Sequence, residues 1–286
     1  MVTKDYRCVM TATSVPVPGG RLHAVDEGAP TAPPIVLLHA GIADSRSWDA
    51  LAPLLAEAGY RVIRYDARGF GRSETDDIEF SNRADLRAVM DALGIGRAVL
   101  VGNSRGGQIA FDTAIESPGR VTAVVGVAAG LSGYAGDVTP EEEGAFEDME
   151  ALEAADEADA EAIADIDVRV WVDGIGQHHE RVPSAIRELV REMDAQHNAP
   201  GRVHGKPLPL HPPANDRLHE LVMPVLAVAG DLDVSDVLQT ARHLEASAPN
   251  ARAVILPGVA HMIGMEAPDR LAELVVDFIA PLPRWS

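Results

Sequence analysis

The sequence predicts an α/β protein: a mostly parallel, doubly wound sheet, interrupted after its sixth strand by a helical insertion. Three observations predict it. Short apolar, β-branched runs alternate with amphipathic stretches over residues 33–130 and again from 222, as strands buried on both faces do when helices cross between them. The alternation lapses over 131–221, where no strong strand pattern occurs. The acids are also concentrated: fourteen of the 44 Asp and Glu fall in 131–167, a stretch with no Lys or Arg, and such a composition shift marks a segment distinct from its flanks. The expected division is a core of 1–130 plus 222–286 and a helical, acid-rich insertion of 131–221.

Taken in order, residues 21–28 are expected to form an antiparallel edge hairpin. Strands follow at 34–40, 61–66, 98–102, 121–127, 225–229 and 253–256, with helices at 48–58, 83–93, 108–115, 236–246 and 268–279. Within the insertion, Thr139-Pro140-Glu141 reads as an N-cap, a first-turn proline and an acidic first turn, each favourable at a helix start. Phe146, Met149 and Leu152 then give a narrow apolar stripe on an otherwise solvated helix.

Composition excludes some roles. A net charge of −20 with 4% aromatics offers neither a footprint for phosphate backbones nor many stacking platforms for bases, and it repels anionic membranes. Cys8 is the single cysteine, so neither an intrachain disulfide nor a cysteine metal site is possible. Residues 1–20 lack the basic head and apolar core of a secretory signal. The longest apolar runs, 35–38 and 121–130, fall short of the ~20 residues that span a bilayer. A cytoplasmic protein is expected, its partners a small-molecule substrate and, where it self-associates, a second copy in a homodimer; no nucleic acid and no membrane.

The most informative hexapeptide is Gly102-Asn103-Ser104-Arg105-Gly106-Gly107, after an apolar strand and before a helix. Glycine at −2 and +2 suits a sharp strand-to-helix turn that leaves no room for a Cβ. Such a turn lifts the serine hydroxyl out of the sheet and aims backbone N–H groups at a reacting oxygen. A carboxylate and a histidine should follow in that order. Asp231 and Asp233 lie just past one strand, and His261 on the loop past the next.

These residues, with His39-Ala40-Gly41-Ile42, Trp48-Asp49 and the loop Asp66-Ala67-Arg68-Gly69-Phe70-Gly71-Arg72-Ser73, resemble the α/β-hydrolase fold family from about residue 21 to 282. The insertion corresponds to that family's variable cap. The resemblance implies Ser104 as nucleophile and His261 as general base. The family pattern G-x-x-D selects Asp233 over Asp231 as the residue that orients the histidine. It also implies an oxyanion hole from the N–H groups of Arg105 and Gly41, with Ile42 the alternative second donor and Ala40 a departure from the usual glycine. Ile42, Trp48 and Met262 are expected at the substrate pocket, Trp48 and Met262 having the core as their alternative place.

Other groups have plainer readings. Arg105 is expected to pair with an acid in preference to a substrate carboxylate, Asp236 to cap the following helix, and Asp66, Arg68 and Ser73 to hold their loop together. His178, His179, His197, His204 and His211 match no metal-ligand spacing, so no metal and no cofactor are expected. The activity implied is a metal-independent serine hydrolase of small carboxylic esters or lactones. A serine nucleophile disfavours the family's dehalogenases and epoxide hydrolases, which use aspartate. Two alternatives stand: a C–C bond hydrolase of a dicarbonyl compound, which Asn103 before the serine resembles, and a non-enzymatic ligand-binding or signalling protein.

Overall fold

The computed structural model describes residues 10–154, 159–283 and 285; Cys8 lies outside them, as do Asp156 and Glu157 of the acidic stretch. Eight strands form the main path of one sheet: β1 (Thr11–Val17), β2 (Gly20–Glu27), β3 (Pro34–Leu38), β4 (Arg61–Tyr65), β5 (Ala98–Asn103), β6 (Val121–Val127), β7 (Val225–Gly230) and β8 (Ala251–Leu256), in spatial order β1-β2-β4-β3-β5-β6-β7-β8. Glu74–Thr75 adds a two-residue ladder to β2. β2 runs antiparallel to β1 and β4, and every pair from β4 to β8 is parallel. The parallel strands explain the continuous apolar runs: every residue of β3, β5, β6 and β7 is buried, as strands covered on both faces require.

The edge hairpin begins earlier than the sequence suggests. β1 pairs with β2 across a turn at Pro18-Gly19, Gly19 having φ +67°. Thr11–Val17 carries no unbroken apolar run, and only Val15 of it is buried, so its strand character comes from pairing and not from periodicity.

Outside the insertion the helices are α1 (Leu51–Glu57), α2 (Asn82–Ala92) and α3 (Arg105–Glu116). Between β6 and β7 come α4 (Pro140–Glu153), α5 (Ala160–Asp167) and α6 (Ser184–His197); α7 (Ser235–Ser247), α8 (Ile263–Glu266) and α9 (Pro268–Ile279) follow β7. A short 3₁₀ turn, Ser45–Trp48, stands where the first helix was expected to begin. α4 starts as read: Thr139 caps Glu142 N–H, the Glu142 carboxylate returns to Thr139 N–H, and Pro140 is the first helical residue. α5 runs directly into a π-helical turn, Val168–Gly174, and π turns recur at functional sites. Among the described residues, no helix is long and apolar enough to cross a membrane.

Candidate active site

β5 ends at Asn103 and α3 begins at Arg105, leaving Ser104 alone at the turn with φ 53° and ψ −118°. That left-handed backbone is strained for any residue with a Cβ, and the two glycines make it possible. A Cβ on Gly102 would sit 2.2 Å from the Gly106 carbonyl oxygen, and one on Gly106 would sit 2.2 Å from that of Leu38. The turn thus places Ser104 at the N-terminus of α3, whose first N–H groups and dipole favour negative charge.

The two candidate carboxylates, Asp231 and Asp233, have different partners. His261 Nδ1 lies 3.0 and 2.9 Å from the two oxygens of Asp233 and donates to them. The Asp233 side chain is 1% exposed, and Val234 N–H also donates to its Oδ1. Asp231 is exposed and accepts from Gly258 N–H at 2.6 Å, holding the loop that leads to His261. In the neutral ring, Nδ1–H directed at Asp233 leaves Nε2 with the lone pair that a general base needs. Ser104 and His261 line one cavity of about 280 Å³ together with Gly41 and Ile42.

The loop opposite Ser104 is held by a buried histidine. His39 Nδ1–H donates to the Ala40 carbonyl at 2.7 Å, and Ala67 N–H donates to His39 Nε2 at 3.0 Å. Only the neutral imidazole makes both bonds; burial, and then the Arg105 charge, hold its pKa below the ordinary value. Ala40 keeps a negative φ, so its methyl costs the turn nothing. Asp66 braces the same region, accepting from Ser45 N–H at 2.9 Å and Arg72 N–H at 2.8 Å. Ser73 donates to the Asp66 carbonyl and Arg68 pairs with Asp85.

Several expectations are corrected. Trp48 is 1% exposed in the main core, its ring packed directly on Gly264. Met262 is equally buried, in a smaller apolar cluster with Ala43, Val168 and Val172. Neither lines the cavity, Trp48 being taken up by the main core and Met262 by the smaller cluster; Ile42 does line it. Arg105 takes an amide in place of an acid: Nη2 donates to Asn82 Oδ1 at 3.0 Å and the guanidinium lies 4.9 Å from the Phe70 ring centre. Burial lowers its pKa. Asp236 does not cap its helix; it accepts from Gly136 N–H of the insertion.

The sequence reading missed the groups contributed by the insertion. Met149, Asp167, Trp171, Asp194, His197 and Asn198 all line the cavity. The Trp171 ring, carried on the π turn, lies 4.7 Å from the His261 ring. The Phe146–Met149–Leu152 stripe is the one signal that pointed here: Phe146 stacks on Trp171 at 5.9 Å and Met149 reaches the cavity. Asn103 was also undervalued. It is buried, and its Nδ2 donates to the carbonyls of Val127 at 3.1 Å and His261 at 3.2 Å, tying the histidine loop to the serine turn.

This fold and arrangement define a class. The chain belongs to the alpha/beta hydrolase fold family, whose model matches residues 33–268, and it is an enzyme of that type. The relatives differ in chemistry. The chain is 36% identical over 122 residues to epoxide hydrolase B of Mycobacterium tuberculosis, a match covering 40% of this chain and only 34% of that protein. It is 29% identical over 269 residues, 91% of both chains, to the 2-hydroxy-6-oxononadienedioate/2-hydroxy-6-oxononatrienedioate hydrolase of Burkholderia vietnamiensis. The crystal structure of naproxen esterase (carboxylesterase NP) from Bacillus subtilis shares its fold with a TM-score of 0.75 at 18% identity, over 96% of this chain and 93% of that one.

Proposed function

We propose that the protein is a metal-independent serine hydrolase of small carboxylic esters or lactones, working through an acyl-enzyme on Ser104, His261 and Asp233. One observation carries the reading: a serine at positive φ heads a helix and shares its cavity with a histidine whose Nδ1 is held by a buried aspartate. Ser104 Oγ attacks the carbonyl carbon as His261 Nε2 takes its proton. The oxyanion is received by the N–H groups of Arg105 and Gly41. His261 returns the proton to the departing alkoxide, and water activated by the same ring releases the acid. Residues 131–221 act as a cap over a core of 1–130 and 222–286.

The serine is the reason to set aside epoxide opening despite the local match, since the epoxide hydrolases of this family use an aspartate there. The end-to-end similarity to a dienedioate hydrolase, with Asn103 before the nucleophile, supports one second reading, C–C cleavage by the same three residues. Hydrolysis of p-nitrophenyl butyrate and covalent labelling by a fluorophosphonate test the first, and both are expected to vanish in Ser104→Ala. Absence of ester turnover and of labelling in the unaltered protein overturns the reading. Loss of absorbance from 2-hydroxy-6-oxononadienedioate, with esters untouched, installs the second.

A further inference from the structure

Ser104 lines a second cavity, of about 330 Å³, beside the first. Trp171 and His261 line both, so whatever fixes these two rings to each other shapes both sides of the candidate reaction centre. Trp171 comes from the insertion and His261 from the core, their rings 4.7 Å apart. One side chain, Arg181, grips the elements that carry them.

Arg181 closes a 3₁₀ turn of the insertion, His179–Arg181, and its side chain is 18% exposed. On one side it reaches the end of the π turn that carries Trp171. Nη2 donates to the Val172 carbonyl at 2.7 Å, and Nη2 and Nε donate to that of Asp173 at 2.8 and 3.0 Å. Carbonyls in the last turn of a helix have no partner further along it, and Val172 and Asp173 are both buried. On the other side Nη1 donates to the Gly258 carbonyl at 3.3 Å and to Glu266 Oε2. Gly258 opens the loop to His261, and Glu266 Oε1 accepts Ala260 N–H at 3.2 Å. One planar guanidinium thus directs its three nitrogens at four acceptors, two on each side. A lysine, with a compact point charge, lacks the fork to hold both.

The backbone fit at this joint is close. A Cβ on Gly174, the last residue of the π turn, would lie 2.9 Å from the Leu232 carbonyl, beside Asp233, and 3.5 Å from the Ala260 Cβ, beside His261. The core has its own holds on the His261 loop. Asp231 accepts Gly258 N–H, Leu232 N–H donates to the Val259 carbonyl, and Asn103 donates to that of His261. These tie the loop to the sheet, and Arg181 ties it to the turn that carries Trp171.

We propose that Arg181 is a positioning residue for the hydrolysis. Its guanidinium clamps the π turn to the His261 loop, so that the ring walling the cavities and the ring moving the proton keep one geometry. This rests on the serine-hydrolase reading and adds to it a residue that touches neither substrate nor Ser104.

Steady-state kinetics on p-nitrophenyl butyrate, with the folded fraction measured by circular dichroism, test it. Arg181→Ala is expected to lower kcat by about tenfold to a hundredfold, the scale of a misplacement near 1 Å. The loss should fall on kcat more than on KM, as it does when an interaction with the transition state is weakened, and fluorophosphonate labelling of Ser104 should slow with it. Arg181→Lys keeps a cation beside Glu266 and releases the π turn, so it should share the loss; if Arg181→Ala does not fold, Arg181→Lys carries the test alone. A lysine variant as fast as the unaltered protein overturns the clamp. So does a loss carried by KM alone, or a variant that melts lower with kcat per folded molecule unchanged. If the unaltered protein neither cleaves esters nor takes the label, the serine-hydrolase reading fails instead, and amide hydrogen exchange decides the clamp. Faster exchange in Arg181→Lys at both 170–174 and 258–261 upholds it, and a change at one or neither sinks it.

Discussion

Asp231 and Asp233 stand two residues apart on one loop, and their side chains turn to different partners. Asp233 is sequestered against His261 Nδ1, while Asp231 faces solvent and pins Gly258 N–H. Removing the charge at Asp233 leaves the imidazole in the wrong tautomer and its cationic form unsupported, so Asp233→Asn is expected to lower kcat by about 10³–10⁴. Asp231→Asn keeps an oxygen that can accept Gly258 N–H and loses only the charge, which costs about 1 kcal/mol of stability or less and less than tenfold in rate. Steady-state kinetics on one p-nitrophenyl ester compares them; a larger rate loss at Asp231 would reverse the assignment. In the sequence, position past the strand leaves Asp231 and Asp233 equivalent, and only the resemblance to the α/β-hydrolase fold family, through its pattern G-x-x-D, points to Asp233. Trp48 was misread for want of such a pattern. A tryptophan near a pocket loop carries no mark of which way its ring turns, and here Gly264 leaves a slot that the indole fills.

At the scale of elements, the serine turn and the insertion differ in how they are specified. The β5–turn–α3 unit is encoded locally by close backbone approach. Gly102→Ala pushes a methyl into the Gly106 carbonyl and Gly106→Ala into that of Leu38, so each is expected to destabilise the fold by about 2 kcal/mol or more. Gly41→Ala is the contrast, since its Cβ would meet nothing within 4 Å. Thermal melts of the three variants decide it, and a Gly102→Ala protein as stable as Gly41→Ala would mean the turn is looser than described. The insertion is held by contacts distant in sequence. The Glu142 carboxylate accepts Ser235 N–H at 2.6 Å beside Asp233, and Arg181 pairs with Glu266, whose carboxylate accepts Ala260 N–H beside His261. Both loops that carry the candidate acid and base are thus braced from the insertion. Nothing in the local sequence around Asp167, Trp171 or Asp194 announces this, because the π turn and the α5–α6 packing that bring them to the cavity arise from tertiary contact and not from a motif.

For the whole molecule, charge and buried histidines pull stability in opposite directions as pH falls. Of the eleven acids in 131–167 whose side chains are described, nine are exposed, on α4, α5 and the segments around them, so the described part of the cluster is largely a solvated face. Protonating a chain of net charge −20 toward its isoelectric point near 4.8 relieves self-repulsion and favours the compact state. The histidines around Phe70 oppose this. His197 stacks on that ring at 3.8 Å, with His39 at 4.9 Å from it and His204 edge-on to His197 at 4.3 Å. Burial lowers the pKa of all three, that of His197 to about 4. An unfolded histidine titrates near 6.5, so as pH falls below that the unfolded chain binds the extra protons, for His197 over a window that reaches down to about pH 4. Their contribution is complete above 6.5 and drains away as pH falls through that window. His197 is only partly buried, which trims its share to about 1 kcal/mol between pH 7 and 5. Denaturant unfolding at those two pH values, in the unaltered protein and in His197→Gln, isolates it, since the acid face is common to both. The unaltered protein is expected to lose about 1 kcal/mol more than the variant on acidification. Parallel losses would mean that His197 is protonated in the folded state, and that the cavity wall it contributes to is less acceptor-rich than its Gly69 bond implies.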